Sequence, residues 1–115
     1  MASPLRVLFC VGINQNFFDL PVAETGTVWA GVAQFVTELN GLAGVSVLGT
    51  LDDDQHMVGP AIGWPWTAYI LADVVDQPTV AAACSLLRTV QVGDHALWRY
   101  AKIEARIGRP AEMPA

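Results

Sequence analysis

The sequence predicts an α+β fold in which two helices cover one side of a four-stranded antiparallel sheet. Apolar residues alternate in four stretches and recur at helical spacing in two others. The stretches follow one another in the order β-α-β-β-α-β. At 115 residues the chain has the size of one domain with one core. We therefore expect residues 1–115 to form a single domain.

The first half of the chain predicts a strand, a helix and a second strand. Residues 6–13 alternate with Val7 and Phe9 on one side, which favours a strand. Between residues 24 and 40 the apolar residues fall three or four apart, as on one side of a helix. Gly41 is suited to end that helix, and residues 44–51 return to the alternation of a strand.

The second half predicts a strand, a helix and a last strand. Residues 66–74 alternate again, and Asp76 followed by Pro78 is typical of a helix start. The buried side of this helix is expected at four positions: Val80, Ala83, Cys84 and Leu87. Residues 97–108 then predict the last strand. The complete order is that of the ferredoxin-like βαββαβ arrangement, with both helices on one face of the sheet.

The last predicted strand has one small apolar side and one mixed side. Side chains two apart in a strand point to the same face. The apolar set suits the helix-covered face: Arg99, Ala101, Ile103, Ala105 and Ile107. The other set combines two aromatic and three charged side chains: Trp98, Tyr100, Lys102, Glu104 and Arg106. We expect this second set on the uncovered face, where a second copy of the chain closes a small pocket.

Composition supports a homodimer and excludes several partners. Apolar residues make up 53% of the chain, charged residues 15%, and the mean hydropathy is +0.40, which favours apolar surface shared between two copies. The net charge of −5 argues against nucleic acid, which needs basic patches. No apolar stretch has the roughly 20 residues of a membrane span, and no targeting segment is recognised. Cys10 and Cys84 lie in apolar patterns, which predicts free thiols and a cytoplasmic protein.

Aromatic and polar residues predict a site for a planar acid. Trp64 and Trp66 flank a proline, which stiffens the start of the strand. Packing in a core or interface is the first interpretation of both, and an aromatic wall for a planar ligand is the functional alternative. Arg106 or Lys102 is suited to hold a ligand carboxylate, and the alternative is a ladder of ion pairs with Glu104. The remaining candidates for substrate binding lie on the same strands or at the rim: Asn14, Asn16, Tyr69, Trp98 and Tyr100. For the two asparagines the alternative is a loop that their side chains cap.

Three residues are candidates for moving protons. His56 lies in the long connection 52–65, and His95 follows Asp94, which is able to orient its ring. Glu104 is the third candidate, and exposed loop positions are the alternative for both histidines. The sequence has no H-E-x-x-H spacing, glycine-rich phosphate loop or nucleophile elbow. We therefore expect neither a metal nor a cofactor.

The predicted order and the uncovered sheet face resemble the dimeric α+β barrel superfamily, which includes cofactor-free monooxygenases and muconolactone-type isomerases. A closer resemblance is to the small IacB-type proteins of indole-3-acetate degradation operons. The stretches that carry it are "RVLFCVGINQNFFD", "DDD-H-MVGP-GWPWT-Y-LADV" (residues 52–74, with gaps at the variable positions) and "LWRYAKIEARIGR". The resemblance implies a homodimeric barrel and a role in aromatic-acid breakdown. Asparagine–tryptophan pairs serve some barrel monooxygenases, and Asn14 or Asn16 with Trp66 is the analogous pair here.

Two functions of different classes follow. The first is a cofactor-independent enzyme, an isomerase or a monooxygenase, that acts on an aromatic acid. The second is a protein without catalysis that binds a ligand or supports an enzyme of the pathway. The fold hosts many activities, so the arrangement of the candidate residues has to distinguish the two.

Overall fold

The computed structural model describes residues 4–53 and 66–111. The described elements, in chain order, are β1 (Leu5–Ile13), α1 (Gln15–Phe18), α2 (Val22–Gly41), β2 (Val45–Asp52), β3 (Ala68–Val74), α3 (Gln77–Thr89), β4 (Gln91–Val92), β5 (His95–Ala96), a 3-10 helix (Leu97–Arg99) and β6 (Ala101–Gly108). The α+β class with two main helices is therefore confirmed.

The main sheet has four strands in the order β2-β3-β1-β6, and every neighbouring pair is antiparallel. This sheet is compatible with the ferredoxin-like arrangement that the sequence predicts. One irregularity interrupts it, because the pairing of β2 with β3 shifts between Val47 and Gly49. The shift leaves Leu48 as an extra residue in β2, and its side chain is exposed.

The core lies between the sheet and the two long helices. One side of β1 supplies its centre, as the alternation predicts: Val7, Phe9, Val11 and Ile13 are all buried. The helices contribute buried residues at helical spacing: Val28, Phe35, Leu39, Val80, Ala83 and Leu87. Both helices therefore cover the same face of the sheet. Of the two free thiols, Cys10 is buried and Cys84 is half-buried.

Helix α3 begins where the sequence predicts. The Asp76 side chain accepts hydrogen bonds from the backbone N–H of Thr79 at 2.9 Å and from its hydroxyl at 2.6 Å. These bonds satisfy a backbone donor that has no partner within the helix. They also hold the pKa of the Asp76 carboxyl below its usual range.

The last strand begins later than predicted. Residues 91–96 form a β4-β5 hairpin, and residues 97–99 form a 3-10 helix that the N–H of Tyr100 closes on the carbonyl of Leu97 at 2.9 Å. Leu97 and Tyr100 are both buried in the core. Residues three apart point to opposite faces of a strand but to the same side of a 3-10 turn, so the turn buries both. The prediction of Tyr100 on the uncovered face is therefore wrong.

Two glycines with positive φ provide a matched stability test. Gly44 has a φ of 87°, and a Cβ there would lie 2.7 Å from Cγ2 of Val75. Gly93 has a φ of 59° with no atom within 4 Å of such a Cβ. Gly44→Ala is expected to lower the free energy of unfolding by roughly 2–4 kcal/mol, and Gly93→Ala by about 1–2 kcal/mol, since only the first adds a clash to the backbone strain. Urea unfolding of both variants checks the order, and equal losses would contradict it.

Candidate functional site

The sheet face opposite the helices, here called the open face, carries an apolar hollow. Its volume is about 430 Å³. The apolar and aromatic side chains that line it come from three strands: Leu8 of β1, Leu51 of β2, and Tyr69 and Leu71 of β3. Leu51 is 59% exposed and Leu71 is 37% exposed. The single chain thus leaves a contiguous apolar surface in water, which is typical of a binding or association surface.

Charged residues border the hollow along β6. The register places Arg106 opposite Leu8, and Glu104 opposite Cys10. Nη2 of Arg106 lies 3.0 Å from Oε2 of Glu104, so these two charges form an ion pair. Lys102 lies opposite Gly12. The prediction that Lys102, Glu104 and Arg106 share one side of the last strand agrees with this register. The Arg106–Glu104 pair is one of the two ion pairs that a ladder through these three residues would contain.

Cys10 lies in the middle of the open face, between Tyr69 on one neighbouring strand and Glu104 on the other. Burial and, to a smaller degree, the charge of Glu104 raise the pKa of its thiol, while a hydrogen bond with Arg106 and the charge of Arg106 oppose the rise. The net pKa is raised, so the thiol is protonated at neutral pH. A protonated thiol is a poor nucleophile, and covalent chemistry at Cys10 is not favoured.

Tyr69 brings a polar group to the rim of the hollow. Burial raises the pKa of its hydroxyl, and so do the Asp53 carboxylate, with which it forms a hydrogen bond, and Cys10. The phenol is therefore neutral at physiological pH and able to donate a hydrogen bond.

Trp66 lies just before β3, and its ring centroid is 5.6 Å from Nζ of Lys102, which is within the range of a cation–π contact.

Asn14 and Asn16 support the backbone near the end of β1. Nδ2 of Asn14 donates to the carbonyl of Trp98 at 3.3 Å, and Nδ2 of Asn16 donates to the carbonyl of Arg99 at 3.0 Å. The backbone N–H of Asn14 donates to the carbonyl of Tyr100 at 2.8 Å. Both amides therefore hold the 3-10 turn in place. The alternative of a loop capped by its own asparagines is wrong, because Gln15–Phe18 form helix α1 and the side chain of Asn14 makes no capping hydrogen bond to it.

Trp98 lies in a groove between α3 and β6. The prediction that it shares a strand face with Lys102 is wrong, because residue 98 belongs to the 3-10 turn. Its indole is 57% exposed, and Cζ of Arg88 lies 5.2 Å from the ring centroid. The groove has a volume of about 310 Å³ and is lined in part by Asn14 and Lys102. Three residues predicted to bind substrate thus meet here.

The two candidate proton-transfer residues that the structure describes, His95 and Glu104, lie apart. His95 lies on the helix side of the sheet, in a cavity of about 410 Å³ with Glu24, Asp94 and Tyr100. Its ring centroid is 6.4 Å from that of Tyr100. Glu104 lies on the open face, across the sheet from this cavity. His56 and Trp64, predicted as a catalytic and a substrate-binding residue, lie outside the described residues.

Sequence reasoning missed two features of these sites. Arg88 was not a candidate, although a cation in the last turn of a helix is a recognisable signal. The leucines of the hollow were predicted only as strand residues. Because Leu8 alternates with the core residues of β1, the pattern does place it on the face opposite the core.

Within residues 4–53 and 66–111, no three His, Cys, Asp or Glu side chains are grouped to hold a metal ion. No helix in this part of the chain has both the length and the apolar character to cross a membrane.

The comparisons with known proteins add no family. No protein-family model matches the sequence, and no curated protein matches it significantly. Support for a function therefore comes from the open face, the groove and the side chains that line them.

Proposed function

We propose that two copies of the chain pack through their open faces and that the chamber between them binds a small aromatic acid. The observation that carries the proposal is the apolar hollow of about 430 Å³ beside Arg106. A hollow with apolar walls and a few polar groups at its border is the usual form of a small-molecule site. A second copy converts the exposed hollow into an enclosed one.

The charges of the open face are suited to burial against a second copy. Nε of Arg6 donates to Oδ1 of Asp73 at 2.7 Å, and both side chains are partly buried. Arg106 and Glu104 form the second ion pair, at 3.0 Å. Covering two neutral pairs avoids the large cost of leaving a single charge buried without a partner. Leu8 and Leu71 supply the apolar contact that favours association.

Arg106 is the proposed anchor for the ligand carboxylate. A guanidinium carries five N–H donors, and its contacts with Glu104 and Cys10 use only part of them. The remaining donors suit a carboxylate, which accepts two parallel hydrogen bonds from arginine. The ring of the ligand then lies against Tyr69 and the leucines of the hollow. The resemblance to the IacB-type proteins implies an acid of indole-3-acetate type and a role in its breakdown, and we include both in the proposal.

Binding is the function that the geometry supports best, because His95 and Glu104, the candidate acids and bases among the described residues, lie on different sides of the sheet. Catalysis is the second candidate, as a cofactor-independent isomerase or monooxygenase. Glu104 favours it, since this carboxylate lies beside the proposed anchor on the open face. Mass spectrometry of pathway acids incubated with the purified protein distinguishes the two, because only an enzyme changes their masses or isomer composition.

Arg106→Ala is expected to weaken binding of indole-3-acetate by about 10- to 100-fold, the loss that follows from removing a hydrogen bond to a charged group. Isothermal titration calorimetry measures the change. Arg109→Ala removes the same charge from an exposed position just after β6 and is the matched control. A dissociation constant that is the same in both variants would contradict the anchor role of Arg106.

A further inference from the structure

We propose that the groove between α3 and β6 is a second binding site, for a planar ring that carries one carboxylate. The ligand class is the one assigned above to the chamber, and in that respect the inference rests on the proposed function. The site is different, because each protomer builds the groove alone. Apart from Lys102, the groove residues used below do not belong to the open face.

Arg88 supplies the charge for the carboxylate. It lies in the last turn of α3, where the helix dipole favours a cation. Within residues 4–53 and 66–111 it forms no ion pair with a carboxylate, and its guanidinium instead lies over the indole of Trp98 at 5.2 Å. A contact with an aromatic face leaves the N–H groups at the edge of the guanidinium plane available to an anion.

Trp98 supplies the surface for the ring. Its indole is 57% exposed, yet its backbone is fixed because its carbonyl accepts a hydrogen bond from Nδ2 of Asn14 at 3.3 Å. The 3-10 turn closes directly after it, through the N–H of Tyr100. An exposed aromatic side chain on a fixed backbone loses little conformational freedom when it binds a flat ligand. Stacking on the indole also removes apolar surface of both partners from water.

The lining of the groove selects an anion. Arg88 is the cation that the groove offers, since the ammonium of Lys102, which also lines it, lies over the ring of Trp66. Neither an aspartate nor a glutamate is among the described residues that line it, although the whole chain has a net charge of −5. The hydroxyl of Ser85 and the amide of Asn14 add polar groups, and Ala101 and Ile103 of β6 add apolar surface. The volume of about 310 Å³ suits a ligand of one or two fused rings.

The test compares four proteins: wild type, Arg88→Ala, Arg106→Ala and the double variant. Each is titrated with indole-3-acetate and with indole-3-ethanol, its uncharged analogue, by calorimetry. The proposal predicts that the wild type binds one acid per protomer in the groove, in addition to the acid in the chamber. Arg88→Ala should weaken only the groove site, and Arg106→Ala only the chamber site. It also predicts at least a 10-fold weaker acid affinity at the groove in Arg88→Ala, with a small change for the alcohol. Arg88→Lys retains a charge at the helix end and should restore only part of the affinity, because an ammonium lacks the planar fork.

A second readout is specific to the groove. Trp98→Phe should remove the change in tryptophan fluorescence that accompanies binding in the Arg106→Ala background, where only the groove remains. If Arg88→Ala leaves the number of sites and the acid affinity unchanged, the groove is not a site, whatever Arg106→Ala shows. If Arg106→Ala alone has no effect while Arg88→Ala abolishes binding, the chamber proposal fails and the groove proposal stands.

Discussion

Leu71→Asp is expected to convert the proposed dimer into a monomer that remains folded. Leu71 lies in the middle of the open face, with Leu8 and Gly49 as its partners on the neighbouring strands. Its side chain is 37% exposed in the single chain, so a carboxylate is tolerated there as long as water reaches it. In a face-to-face dimer the carboxylate is buried without a partner, at a cost of about 3 kcal/mol or more, which weakens association at least ~100-fold.

Sedimentation velocity over a range of concentrations measures this effect, and circular dichroism checks that the variant is folded. Val22→Asp is the matched control, because Val22 is 88% exposed at the start of α2, in the layer on the other side of the sheet. It introduces the same charge and should leave association unchanged. A wild-type chain that sediments as a monomer at every concentration would refute the dimer and, with it, the enclosed chamber.

Phe9→Ala is expected to produce the largest loss of stability. Phe9 is fully buried in the central strand β1, where its backbone pairs with Ile70 on one side and Ala105 on the other. Removing a buried phenyl ring loses its transfer free energy and leaves a cavity that neighbouring side chains fill only in part. The expected decrease in the free energy of unfolding is about 3–5 kcal/mol.

Phe18→Ala makes the same chemical change at a side chain that is 65% exposed. Among the aromatic pairs of the described residues, its ring contacts only that of Phe17, in an edge-to-face arrangement. Its removal should therefore lower the free energy of unfolding by less than about 1 kcal/mol. Urea unfolding of both variants at one protein concentration gives the comparison, since association contributes to apparent stability. Similar losses in the two variants would show that the sheet–helix layer is not the main source of stability.

The regular elements could be predicted because their periods are long and unbroken. The alternation over residues 6–13 and the helical spacing over residues 24–40 each lie within one element, and burial confirms both at Phe9 and Phe35. The start of the last strand was predicted wrongly because the residues at positions 97–100 fit both an alternating strand and a 3-10 turn. The tertiary packing decides for the turn, because it buries both Leu97 and Tyr100 in the core.

The site was harder to predict than the fold. Lys102, Glu104 and Arg106 follow one another at a spacing of two in one strand, so their common side could be read from the chain. Arg88 and Trp98 come from different elements and meet only through the packing of α3 on the end of the sheet. The spacing of Arg88 and Trp98 in the sequence therefore does not predict their contact.

The irregular pairing at Leu48 bears on how concentrated protein behaves. Among the described strands, β2 is the outermost one at one edge of the sheet. Unpaired backbone groups at such an edge can pair with strands of other molecules. The extra residue interrupts the regular row of amides and carbonyls that an incoming chain needs. Growth into fibrils by strand addition at this edge is therefore disfavoured.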